Sequence, residues 1–105
     1  MSELDGMLLV VDVGNTQTHF GVFEDGSEVI AEHWRFATDS ESTADELAAL
    51  LASLLELRGL SFADLGATIV SSTVPQLSDR WRAVASRYLG HEALVVGPAL
   101  KTGMP

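Results

Sequence analysis

The 105-residue chain contains no cysteine. Disulfides, thiolate metal sites and a cysteine nucleophile are therefore excluded, and the composition suits a cytoplasmic protein. Basic residues are scarce, with six Lys and Arg against fifteen Asp and Glu and a formal net charge of −9. Phosphate backbones are bound with Lys and Arg, so no nucleic-acid partner is expected, and the acidity is read as a source of solubility. Arg80, Arg82 and Arg87 share one segment and are read as a solvated helix face. Long apolar runs are missing too. The run at residues 7–11 is far too short to cross a bilayer, so no membrane association is expected. The leading Met-Ser-Glu-Leu-Asp is acidic, unlike the basic start of a signal peptide. No Gly-Lys-Ser/Thr follows a glycine loop and no G-x-G-x-x-G occurs, which argues against a P-loop and a Rossmann dinucleotide site.

What is present is ordinary for a globular domain: 47% hydrophobic and 20% charged residues. A chain of this length fits one domain, here placed at residues 7–105 after a leader at 1–6. Residues 7–13 form a continuous Val/Leu-rich run, the mark of a buried strand. Gly14-Asn15 signals a turn, and the β-branched and aromatic residues 18–23 predict a second strand. Asp25-Gly26 suits a hairpin turn into a third strand at 28–38, whose alternation is imperfect and predicts one half-buried face. Thr43 with Glu46 spells a capping box. Leu47, Leu50, Leu51, Leu54 and Leu55 then recur at helical spacing, an apolar stripe read as core, and Gly59 closes the helix. A strand at 67–72, a second helix from Pro75 to about Tyr88 closed by Gly90, and a strand at 93–96 complete the order β-β-β-α-β-α-β. Gly97-Pro98 and a tail at 101–105 follow. An α/β fold with a mixed five-stranded sheet is expected, its hairpin strands antiparallel and its two crossover units right-handed.

The segment with chemical content is Asp12-Val13-Gly14-Asn15-Thr16-Gln17-Thr18-His19-Phe20-Gly21. A carboxylate ends a buried strand, a Gly-Asn turn follows, and hydroxyls stand at Thr16 and Thr18. Gly14 lacks a Cβ, so backbone can approach a ligand closely. Successive turn amides can form an anion-binding concavity. Asp12 repels a bare phosphate and makes sense only with an intervening cation, and Mg²⁺ takes one or two carboxylates with waters and phosphate oxygens. The group describes a site for the phosphate tail of a Mg-nucleotide. On chemistry alone, a plain hairpin turn remains an equal alternative.

Asp-Val-Gly-Asn-Thr at the end of the first strand, with Gly21 in the second, resembles the first phosphate motif of the actin-like ATPase and sugar kinase superfamily. The Gly-Asn-Thr variant is similar to that of type III pantothenate kinases. Five further blocks resemble that family in order and spacing: Trp34-Arg35-Phe36-Ala37-Thr38, Thr43-Ala44-Asp45-Glu46, Ser71-Ser72-Thr73-Val74-Pro75, Val95-Val96-Gly97-Pro98 and Lys101-Thr102-Gly103-Met104-Pro105. The resemblance runs from about Met7 to the last residue. It implies transfer of phosphate from ATP to pantothenate, the first step of coenzyme A synthesis. It also implies two ribonuclease H-like lobes, a homodimer, Mg²⁺ with ATP, and a monovalent cation, K⁺ or NH4⁺. Under it, Asp12, Val13, Gly14, Asn15, Thr16, Gln17, Thr18 and His19 hold the ATP phosphates, and Asp12 holds Mg²⁺ through water. The family's Gly-Ala-Asp-Arg motif, with its general base and pantothenate contacts, has no counterpart here. Nor has the second phosphate motif, nor the adenosine and monovalent-cation residues. The expectation is therefore an N-terminal lobe without a second lobe, with no catalytic residue of its own. The rival readings are a non-catalytic nucleotide-binding or interaction module and a regulatory accessory protein.

The three histidines lie apart, without metal-ligand spacing, and are read as structural or exposed, with His19 also in reach of ATP. Trp34 and Trp81 are read as core or lobe-contact residues, Ser71-Ser72-Thr73 as a strand end, and Lys101 as a solvated tail residue.

Overall fold

In the computed structural model, residues 6–24 and 30–96 are described. The expected leader at 1–6, apart from Gly6, the turn at Asp25-Gly26, the start of the third strand at 28–29, Gly97-Pro98 and the tail at 101–105 lie outside them.

The elements are β1 (Met7–Val13), β2 (Gln17–Phe23), β3 (Ile30–Ala37), α1 (Ala44–Glu56), β4 (Leu65–Ser72), α2 (Pro75–Val84) and β5 (Leu94–Val96). A short 3-10 turn (Phe62–Asp64) leads into β4, and a π-helical turn (Ala85–Leu89) extends α2. The sheet order is β3-β2-β1-β4-β5. The β1–β2 and β2–β3 pairs are antiparallel, whereas β4 lies parallel to β1 and β5 parallel to β4. This is the mixed five-stranded, ribonuclease H-like α/β arrangement expected from the order of the elements.

Alternation along the strands sorts the two faces. Leu9, Val11 and Val13 of β1 stand beside Val22, Phe20 and Thr18 of β2 and beside Thr68, Val70 and Ser72 of β4. All are buried, and their apolar members join Leu47, Leu51 and Leu55 of α1 and Leu77, Trp81 and Val84 of α2 in one cluster. Both helices therefore cover this face. Trp81 meets Phe20 edge-on with centroids 5.2 Å apart, and Phe20 in turn meets Phe36 at 5.0 Å. Such geometry suits the ring quadrupoles. Glu32 of β3 and Arg58 beyond α1 form an exposed ion pair at 2.8 Å.

The predicted capping box is present: the Thr43 amide donates to Glu46 Oε1 at 2.8 Å, and the Glu46 amide donates to Thr43 Oγ1 at 3.1 Å. At the other end Gly59 adopts φ 73°. The Leu60 amide reaches back to Leu55 O and that of Gly59 to Glu56 O, at 2.9 and 3.0 Å, the pattern of a Schellman closure.

Boundaries differ from the sequence reading at five places, one of them β5, which begins at Leu94 rather than at 93, where its pairing with Ile69 starts. β2 begins at Gln17, because that residue already pairs with Ala37. β3 ends at Ala37, one residue short, because its partner strand begins opposite it at Gln17 and the Thr38 amide donates instead to Thr16 O in the turn. β4 begins at Leu65, because it pairs with Met7. The second helix keeps α-helical spacing only to Val84 and then widens, closing at Gly90 with φ 79°.

The opposite sheet face carries Leu8, Val10, Phe23, Ile30, Ile69 and Leu94. No helix among the described residues covers it, and Leu94 and Ile30 are 61% and 41% exposed.

Candidate functional site

Strands β1 and β4 run in the same direction and end side by side at Val13 and Ser72. Ligands of open α/β sheets bind beyond such strand ends. Two connections meet there, the β1–β2 turn at 14–16 and the β4–α2 junction at Thr73 and Val74. The Thr73 amide and hydroxyl both donate to Val13 O, at 3.0 and 3.3 Å. Ser72 Oγ donates to Val74 O and accepts from the Val74 amide, both at 2.9 Å. These bonds set the first turn of α2, with Pro75 at its start, against the end of β1.

The β1–β2 turn is closed by a 2.9 Å bond from the Gly14 amide to Gln17 O. A Cβ at Gly14 would sit 3.1 Å from that oxygen, so close approach within the turn, rather than a positive φ, accounts for the glycine. A second bond, from the Thr38 amide to Thr16 O at 2.9 Å, ties the turn to the end of β3. The Gly14 amide is thereby occupied, whereas Asn15, Thr16 and Gln17 are exposed at the tip.

The eight residues read from the sequence as one phosphate loop divide three ways. Asn15, Thr16 and Gln17, with Gly14 at their base, form the exposed tip. Val13 and Thr18 turn into the helix-covered core, at 0% and 2% exposure. Thr18 Oγ1 shares a 2.8 Å hydrogen bond with Thr38 Oγ1, which holds its hydroxyl inside. Asp12 and His19 are direct cross-strand partners and stand exposed on the opposite face. Arg35 of β3 is the partner of His19, and Ser71 of β4 is the partner of Asp12. A polar row Ser71–Asp12–His19–Arg35 thus crosses four strands on the face away from the helices.

Next to this row lies a cavity of about 230 Å³, lined by Val10, Asp12, His19, Phe20, Gly21, Phe23, Ile30 and His33. Gly21 shapes it, since a Cβ there would approach Ile30 Cδ1 to 2.8 Å. His91 is elsewhere and structural, its Nε2 2.8 Å from Thr68 Oγ1.

Among the described residues no group of three or more His, Cys, Asp or Glu side chains could enclose a metal ion. A hydrated Mg²⁺ does not need such a cage, because it takes one or two carboxylates and keeps waters and phosphate oxygens. Asp12 supplies the carboxylate. Beside it, Ser71 Oγ is buried without a hydrogen-bond partner. The oxygen-only donor set fits that ion.

Ser71, Arg35 and the cavity beside Gly21 were not readable as site features. Their placement follows from which strand lies beside which, and the β1–β4 pairing that brings Ser71 to Asp12 carries no local signal.

Residues 8–105 match the family model described as type III pantothenate kinase. The chain is 45% identical over 98 residues to a type III pantothenate kinase of Bacillus cytotoxicus, covering 93% of this chain and 37% of that protein. It is 46% identical over 99 residues to one of Syntrophotalea carbinolica, covering 94% and 38%. The chain thus spans a little over a third of the length of these curated relatives. Among solved structures, two of the Ppx/GppA family from Aquifex aeolicus share the fold with TM-scores of 0.51, at 14% and 13% identity. They match 91% and 90% of this chain, and 36% and 37% of their own chains.

Proposed function

This chain belongs to the type III pantothenate kinase family, and from that premise we propose that it is the N-terminal, ATP-phosphate-binding lobe of an enzyme that phosphorylates pantothenate. The observation that carries the reading is the meeting, at the carboxyl ends of the central strands β1 and β4, of the exposed turn of Gly14, Asn15 and Thr16 with the β4–α2 junction, next to the Asp12 carboxylate on the face away from the helices. In this reading Asn15, Thr16 and Gln17 contact phosphate oxygens, while Val13 and Thr18 support the turn from inside the core. His19, beside Asp12, faces the same ligand. Asp12 is the residue that would hold hydrated Mg²⁺. When bound, that ion neutralises charge on the phosphate oxygens.

Phosphoryl transfer depends on positioning and charge stabilisation, and a general base must come within about 3 Å of the acceptor hydroxyl. Residues 6–24 and 30–96 form one wall of such a cleft and offer no base in the row facing it other than Asp12 and His19, both assigned to the ATP side. The acceptor base, the adenosine contacts and the site for K⁺ or NH4⁺ belong to a second lobe of the kind the longer relatives have room for. Homodimerisation and a cytoplasmic location are part of the same proposal.

The test is a phosphopantothenate assay on the 105-residue protein with ATP, Mg²⁺ and K⁺, beside calorimetry with ATP. The expected result is no turnover and weak binding, because four or five exposed neutral hydrogen bonds of about 1 kcal/mol each sustain roughly millimolar affinity. Rapid turnover or micromolar affinity would show that the lobe is a complete unit.

A further inference from the structure

The Ser71 hydroxyl makes no hydrogen bond to the described residues. Its Oγ is buried and unpartnered, although the residues around it are well satisfied. Ser72 is bonded twice to Val74, and Thr73 is bonded twice to Val13. A buried hydroxyl without a partner is destabilising and is rare in native structures unless a ligand, ion or water completes it. An alanine or valine at this strand position would remove that penalty. The sheet places Ser71 directly beside Asp12 in the parallel register. Neighbouring strands lie about 4.8 Å apart, and alternation puts both side chains on the same face, at the strand ends where the phosphate turn sits.

We propose that Ser71 is a positioning residue of the metal–phosphate site, its hydroxyl bonding to the hydration shell of the Mg²⁺ that Asp12 holds. This rests on the functional reading above and extends it from the β1–β2 turn to β4. The hydroxyl is a neutral oxygen that can both accept from a metal-bound water and donate to a carboxylate or phosphate oxygen. It adds a second fixed oxygen beside a single carboxylate without adding a charge that would compete with the phosphates.

The experiment is an NMR titration of the ¹⁵N-labelled 105-residue protein with ATP, once with excess Mg²⁺ and once with EDTA. It compares wild type, Ser71→Ala and Asp12→Asn, following the amides of Gly14, Asn15, Thr16 and Ser71, with thermal melts alongside. For Ser71→Ala the expected result is a Tm equal to or above wild type and MgATP affinity roughly 3- to 10-fold weaker, the worth of one hydrogen bond. Affinity with EDTA should be unchanged. Unaltered MgATP affinity would mean that the hydroxyl only houses a structural water, and would overturn the proposal. An equal loss with and without Mg²⁺ would overturn the metal assignment. Ser71→Thr, which keeps a hydroxyl, should recover part of the affinity, and failure to do so despite a native spectrum counts against the inference. If Asp12→Asn also binds MgATP as wild type does, or if wild type shows no shifts at the turn, the functional reading itself fails and takes this one with it.

Discussion

Thr16 and Thr18 lie two residues apart in a motif that treats both as phosphate donors, yet the structure gives them opposite surroundings. Thr16 is exposed at the turn, whereas Thr18 is 2% exposed and bonded to Thr38 at 2.8 Å. Replacing Thr18 by Val keeps the shape and removes that bond, leaving the Thr38 hydroxyl without its partner. The cost of one such bond is about 1 kcal/mol. At roughly 2.1 cal/mol/K of unfolding entropy per residue, a domain of this size has about 0.2 kcal/mol/K in total, so Thr18→Val should lower Tm by about 5 °C. MgATP affinity should not change. Thr16→Val should do the reverse, leaving Tm within a degree or two and weakening MgATP binding several-fold. Calorimetric melts and nucleotide titrations on the two variants form a crossed design. Loss of affinity with intact stability in Thr18→Val would show that its hydroxyl serves the ligand and that the inward orientation is wrong.

Three further outcomes are expected. Tyr88 is the sole tyrosine, and its hydroxyl donates to Asp45 Oδ1. That hydrogen bond is the first cause of a pKa raised above 10.0. Absorbance near 295 nm should therefore show a midpoint above 10, and Asp45→Asn should bring it down. Because the folded state holds this proton more tightly, the contribution to stability is present below about pH 10 and fades as pH rises through the folded midpoint. Trp81→Ala should destabilise by about 3–5 kcal/mol, measurable by urea unfolding, since the ring is 1% exposed and packs on Phe20. A loss under 1 kcal/mol would contradict its place in the core. Gly59→Ala should cost about 1 kcal/mol through its positive φ, read from the same unfolding curves, and an unchanged midpoint would contradict the Schellman closure.

Features set by neighbours in the chain were readable in advance. Thr43 and Glu46 form their box from positions three apart, Gly59 and Gly90 close their helices, and the leucine stripe of α1 faces inward at its own period. The hidden features depend on residues far apart in sequence. Whether Thr18 faces the core depends on pairing parity, which Phe20 and Trp81 settle by packing together. The adjacency of Ser71 to Asp12 needs a parallel register between strands separated by β2, β3 and α1, for which no local pattern exists. The widening of α2 after Val84 has no sequence cue either. Arg80 was read as part of a solvated face, but its guanidinium donates to Ser42 O at 2.6 Å, bracing the loop before α1 against α2. Arg82 and Arg87 keep to exposed pairs with Asp79 and Asp45, where such pairs are worth little.

The central claim is that the β1–β2 turn and Asp12 together hold the phosphates of a Mg-nucleotide. The most direct measurement is the shift of the Gly14, Asn15 and Thr16 amides on adding MgATP to the wild-type chain and to Asp12→Asn. Wild type should show saturable, millimolar shifts confined to the turn, Ser71 and the start of α2. The variant should fold normally, with those shifts weakened several-fold when Mg²⁺ is present and little altered in EDTA. Shifts elsewhere on the surface, or equal binding by both proteins in excess Mg²⁺, would contradict the claim.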